Sequence, residues 1–143
     1  MVGPGTGIAP FRAFLQERAA CNSPGRNWLF FGERHAENGF YYREELEGFL
    51  EQGCLTHLHM AFSRDQDQRI YVQDRMEENG EELWRWLHGG AYFYVCGDAA
   101  RMARDVDSAL RRIVARYGGM STEQADEYVS NLVRNGRYVR DVY

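Results

Sequence analysis

Apolar residues fall into two rhythms that alternate along the chain. Ile8, Phe11, Phe14 and Leu15 recur at the spacing of one helix face, Pro10 sits in the tolerated first turn, and Asn22, Pro24 and Gly25 close the segment. A helix is predicted over about residues 8–20. WLFFGER, Trp28 to Arg34, is a continuous apolar run stopped by glycine, the pattern of a strand buried on both faces. A second helix follows at REELEGFLEQ, and LTHLHMAF, Leu55 to Phe62, is the next strand, with SRDQDQ as a polar loop behind it. Helical spacing resumes from Val72 through ELWRWLH, and AYFYVC, Ala91 to Cys96, is a further core strand. Gly97-Asp98 opens a long helix with Met102, Val106, Leu110 and Ile113 on one face. STEQ from Ser121 has the form of a capping box for a last helix, and RYVRDVY reads as a terminal strand.

Strands alternating with helices in this way predict an α/β fold: a doubly wound, parallel, five-stranded sheet in three αβα layers. Ligands in such folds bind outside the carboxyl ends of the strands, here Gly3, Gly32, Ser63 and Gly97. A strand of about five residues normally precedes a turn like the first one. Only Met1 and Val2 do so, and the first strand is therefore expected to be truncated. Residues 1–143 are expected to form one domain.

Composition narrows the classes. With 44% hydrophobic and 27% charged residues the chain is of ordinary globular type, and a net charge of -4 argues against a nucleic-acid surface. Apolar runs are too short for a membrane span and the N-terminus lacks the order of a signal peptide, so the expected address is cytoplasmic. Cys21, Cys54 and Cys96 contain no CxxC pair, so neither a disulfide framework nor a metal site is expected. The chain has no lysine: all 17 basic residues are arginine, which excludes Schiff-base chemistry and leaves anion recognition to guanidinium forks and backbone amides.

Candidate chemistry starts at GPGTGIAP, Gly3 to Pro10. A glycine-rich turn running into a helix lets backbone approach a phosphate at the helix start. It matches neither common nucleotide fingerprint, since Ile8 stands where GxGxxG needs its third glycine and GxxxxGK needs a lysine. Ser63-Arg64, with Arg69 and Tyr71 further on, would suit an adenosine phosphate, or else form a solvated polar loop. Cys96 by itself reads as a small apolar filler, His57 and His59 as a packed pair, EELEGFLE and EENGEE as solvated helix faces, and Tyr143 as a frayed end.

Taken in order, GPGTGIAP, SR, RIYVQ, YVCGDAARMARDV and the terminal DVY resemble, over the whole chain, the NADPH-binding module of the diflavin reductases, which are similar to ferredoxin-NADP reductase. NWLFFGE, SRDQ, ELWRWL, GGMSTEQADEYV and RDVY look like the sulfite-reducing branch of that family. The resemblance implies that Gly5, Thr6 and Gly7 cradle the pyrophosphate, and that Ser63, Arg64, Arg69, Ile70, Tyr71, Val72 and Gln73 hold the 2′-phosphate and adenine. Arg69 stands where a lysine is frequent, which keeps the charge and replaces a point by a fork. It further implies that Cys96 and Asp105 lie toward the nicotinamide, that Asp141 is the terminal acid, and that Tyr143 stacks on FAD. Cys96, Asp141 and Tyr143 are thus the implied catalytic set. The chain would be the C-terminal part of a longer flavoprotein whose FAD and FMN domains pass hydride equivalents from NADPH to a sulfite-reducing haemoprotein. Two other readings stand beside it: a diflavin reductase with another acceptor, and a stand-alone NADPH-binding module without redox activity.

Overall fold

WLFFGE forms a strand because its side chains are buried on both faces, with only the terminal Glu33 partly exposed. The computed structural model describes the backbone of residues 1–143 and the side chains of all but residues 38–41. The chain divides into two compact units, Met1–Val72 and Gln73–Tyr143.

In the first unit β1 (Trp28–Glu33) pairs in parallel with β2 (His57–Phe62), from Trp28 opposite His57 to Glu33 opposite Phe62. Residues 1–3 run along the other edge of β1. The Met1 nitrogen donates to the Trp28 carbonyl at 2.9 Å, Phe30 N–H to Met1 at 2.9 Å, and Gly3 N–H to Phe30 at 3.0 Å. α1 (Ala9–Ala20) buries Phe11 and Leu15, and α2 (Phe40–Glu51) contributes Leu46 and Phe49 to the same core. The histidine pair is packed: Trp28 Nε1 donates to His59 Nδ1 at 2.8 Å, the His59 ring stacks on Phe30, and His57 meets Trp28 edge-on.

The second unit holds α3 (Val72–Glu78) from its second residue on, α4 (Gly80–His88), β3 (Phe93–Gly97), α5 (Met102–Gly118), α6 (Thr122–Arg134) and β4 (Tyr138–Val142). β3 and β4 are parallel, Phe93 opposite Tyr138 and Gly97 opposite Val142. The Tyr138 hydroxyl donates to Asp107 Oδ1 at 3.0 Å, and Arg111 bridges Asp107 at 2.8 Å and Asp126 at 3.0 Å, which ties β4, α5 and α6 together. Burial, and then the Asp107 charge, push the Tyr138 phenol far above its ordinary value. The capping box forms as expected, with Ser121 Oγ accepting from Gln124 N–H at 3.1 Å and Gln124 Oε1 from Ser121 N–H at 2.9 Å.

The structure refines two expectations. The helical stretch from Val72 to His88 is two helices, broken at Asn79, whose amide donates to the Arg75 carbonyl at 2.8 Å. Gly80 starts the second because a Cβ there would lie 2.5 Å from the Tyr117 ring. Four strands are present among the described residues, in two parallel pairs, with six α-helices; Met1–Gly3, where a truncated first strand was expected, makes one parallel bridge, Val2 to Phe30. Among the described residues no helix is long and apolar enough to cross a membrane.

Candidate functional site

The glycine turn is shaped by close packing. A Cβ on Gly3 would lie 2.5 Å from the Gly7 carbonyl oxygen and 2.7 Å from the Phe11 ring, so only glycine lets the chain fold back over α1. Gly5 has a left-handed φ of 57° and leads a short 3-10 turn, Gly5–Ile8, closed by Gly7 N–H donating to the Pro4 carbonyl at 3.1 Å. The N-cap residues Pro4 and Ile8 give no side-chain cap to this turn or to α1, and neither element has an acidic residue in its first turn. Thr6 is exposed at the tip. Backbone N–H groups at such a start favour an anion.

Beyond β2 the pairing continues, with Ser63 N–H donating to the Glu33 carbonyl at 3.0 Å and Arg64 N–H to the Arg34 carbonyl at 2.9 Å. Asp65 then ties this loop to the one after β1: its Oδ2 accepts from Ala36 N–H and its Oδ1 meets His35 Nδ1, both at 2.8 Å. The Ala36 N–H, and next the bond to His35, hold the Asp65 carboxyl below the usual carboxylate value. Gln66 Nε2 donates to the Phe62 carbonyl at 2.6 Å. Arg64 and Arg69 are exposed, and among the described residues neither has an ion-pair partner. Ile70 and Tyr71 are half-buried, Val72 is buried, and Gln73 is already the second residue of α3. The turn and the end of the loop converge at Gly32, where a Cβ would stand 3.0 Å from Val72 Cγ1 and 3.1 Å from Pro4 Cβ.

In the second unit, Cys96 and Asp141 are register partners on β3 and β4. Cys96 is 4% exposed, and burial, then the Asp141 charge, raise its thiol pKa, so it is neutral at neutral pH. Tyr143 is not frayed: its N–H donates to the Gly97 carbonyl at 3.1 Å and its carbonyl accepts from Ala99 N–H at 2.9 Å, while 68% of the residue stays exposed. Asp98 accepts from the N–H groups of Arg101 at 3.0 Å, Met102 at 3.2 Å and Ala100 at 3.3 Å, filling the approach to α5. Asp105 lies in the first turn of α5, and among the described residues no hydrogen bond joins its side chain to Cys96 or Asp141.

Sequence reasoning singled out Ser63, Arg64 and Arg69 but passed over Asp65 and His35. Their meeting spans 30 residues and depends on two strand ends lying side by side. The acid next to Arg64 in SRDQ was the available signal.

The sequence model of the oxidoreductase NAD-binding domain family matches residues 1–108. The NADPH sulfite reductase flavoprotein alpha-component of Escherichia coli O1:K1 / APEC is 57% identical over 143 residues, 100% of this chain and 24% of that protein. Its counterparts in Shigella flexneri serotype 5b (strain 8401) and Shigella dysenteriae serotype 1 (strain Sd197) are 56% identical over the same shares. The chain therefore spans 24% of the length of these curated relatives.

Proposed function

Since the chain belongs to the oxidoreductase NAD-binding domain family, we propose that it docks NADPH for a flavoprotein of the sulfite reductase type. On this reading residues 1–143 act as one NADP-binding domain, and the four strands with Met1–Gly3 are parts of a doubly wound, five-stranded sheet in three αβα layers. The rest of the longer protein would supply the FAD and FMN domains, and the electrons would go to a sulfite-reducing haemoprotein. A cytoplasmic site suits a reaction supplied by NADPH.

The observation that carries the reading is the pair of exposed guanidinium groups, Arg64 and Arg69, without ion-pair partners among the described residues, on a loop whose end meets the glycine turn at Gly32. Two unpaired forks beside an uncapped helix start fit a ligand with phosphates at both ends of a ribose. Gly5, Thr6 and Gly7 would take the pyrophosphate, Ser63, Arg64 and Arg69 the 2′-phosphate, and Ile70, Tyr71, Val72 and Gln73 the adenine side. NADPH supplies a hydride from its nicotinamide when bound.

Cys96, Asp105, Asp141 and Tyr143 would frame the nicotinamide end. A buried, neutral Cys96 offers a small surface without a charge, and Asp141 stands opposite it as its register partner on β4. Tyr143 is fixed through its backbone while its ring is exposed, so the ring can cover a flavin face and turn away without loosening β4.

The test is a titration of the 143-residue chain with 2′,5′-ADP and with 5′-AMP. A charge-assisted contact is worth roughly 1.5–3 kcal/mol, so Arg64→Ala is expected to weaken 2′,5′-ADP about ten- to a hundred-fold and leave 5′-AMP unchanged. Equal losses for both ligands would sink the proposal.

A further inference from the structure

A loop built to hold a 2′-phosphate has a carboxylate immediately after its first arginine. By Coulomb's law a negative charge so close to a phosphate opposes binding. The geometry resolves the conflict, because both Asp65 oxygens are engaged away from the loop tip, one by Ala36 N–H and one by His35 Nδ1, each at 2.8 Å. Past Gln66 the loop has no comparable tether: among the described residues the side chains of Asp67, Gln68 and Arg69 make no hydrogen bond. The anchors near Arg64 are thus its own backbone bond to Arg34 and the carboxylate of the next residue.

We infer that Asp65 is a positioning residue for 2′-phosphate recognition, holding Arg64 in place by clamping its loop to the Ala36 N–H and His35 without touching the nucleotide itself. The inference rests on the proposed NADPH reading. A tethered loop has already lost the freedom that an untethered arginine loses on binding, so the clamp raises affinity through preorganisation and not through a contact. The depressed carboxyl pKa agrees with an Asp65 that stays charged and bonded.

Charge and positioning make opposite predictions. If Asp65 acted only as a negative charge near the phosphate, Asp65→Ala and Asp65→Asn would both tighten 2′,5′-ADP. If it positions Arg64, Asp65→Ala weakens 2′,5′-ADP about tenfold and spares 5′-AMP, whereas Asp65→Asn, whose amide oxygen still accepts from Ala36 N–H, stays within about threefold of the parent. The double variant Arg64→Ala/Asp65→Ala should then lose no more than Arg64→Ala alone. Ala36→Pro, at the first position of a 3-10 turn where proline is tolerated, removes the donor and leaves the carboxylate; it should reproduce the selective loss even where Asp65→Ala fails to fold. Equal behaviour of Asp65→Ala and Asp65→Asn, or full additivity in the double variant, would overturn the inference. No effect of Arg64→Ala on 2′,5′-ADP would instead overturn the NADPH reading beneath it.

Discussion

Two helices of this chain begin just beyond a glycine at the carboxyl end of an extended segment, and they treat their first turns in opposite ways. After Gly3 the chain enters α1 through a 3-10 turn, with no side-chain cap from Pro4 or Ile8 and no acidic residue in either first turn. After Gly97 the carboxylate of Asp98 takes the N–H groups of Ala100, Arg101 and Met102 before α5 begins. One start has no side-chain cap from its own N-cap residue, and the other has spent its donors on the protein's own anion. The means differ as well: the open start is set by packing against Phe11, the closed one by charge and hydrogen bonds. A strand-glycine-helix pattern is therefore no anion site until the residue after the glycine is known.

The largest expected effect comes from removing what shapes the open start. Phe11 is 2% exposed, so Phe11→Ala should cost about 3–5 kcal/mol in chemical denaturation. It should weaken NADPH and NADH alike, since it slackens the turn and leaves the arginine loop alone. Next in size is an attempt to convert the open start into a copy of the closed one. Thr6→Asp puts a carboxylate at the exposed tip, and two unit charges about 4 Å apart repel by about 1 kcal/mol in water and about 4 kcal/mol at a protein surface. Calorimetry should show both nucleotides weakened about tenfold or more, and unchanged affinity would place the pyrophosphate elsewhere.

The smallest effect lies at the closed start. The N–H of Met102, then that of Arg101, hold the Asp98 carboxyl below its ordinary value. A depressed folded pKa contributes stability above the unfolded value of about 3.9, and that contribution is lost as pH falls through the folded value. Asp98→Asn has no such charge to lose. Its Tm should decline less steeply than the parent's below about pH 4, and parallel profiles would show that the cap carries no charge-dependent stability.

Elements set by local pattern were legible in the sequence. WLFFGE announced a fully buried strand, and Ser121 with Gln124 announced a cap that forms as read. The break at Asn79 was not, because the residues on both sides keep helical spacing and the reason for Gly80 sits on α5, at Tyr117. In the candidate site, the glycine turn and the two arginines carry their chemistry in their residue types. The Asp65 clamp does not, since an acid in a polar loop looks the same whether solvated or bound to a backbone N–H some 29 residues away. Tyr143 was ambiguous for a similar reason: what holds a terminal residue is a neighbouring strand, here through Gly97 and Ala99.

The contact between Trp28 and His59 has an optical consequence. The chain's three tryptophans are divided between its units, Trp28 in the first and Trp84 and Trp86 in the second. Trp28 is 5% exposed, with its indole N–H on His59, whereas Trp84 and Trp86 are only half-buried on α4. A shielded indole emits at shorter wavelength than one in contact with water. The blue edge of the intrinsic fluorescence therefore reports the half that carries the glycine turn and the arginine loop, and the red edge reports the half that carries Cys96 and Tyr143. The surroundings of the two sets of indoles can thus be followed during a melt of the unmodified chain, with no label attached.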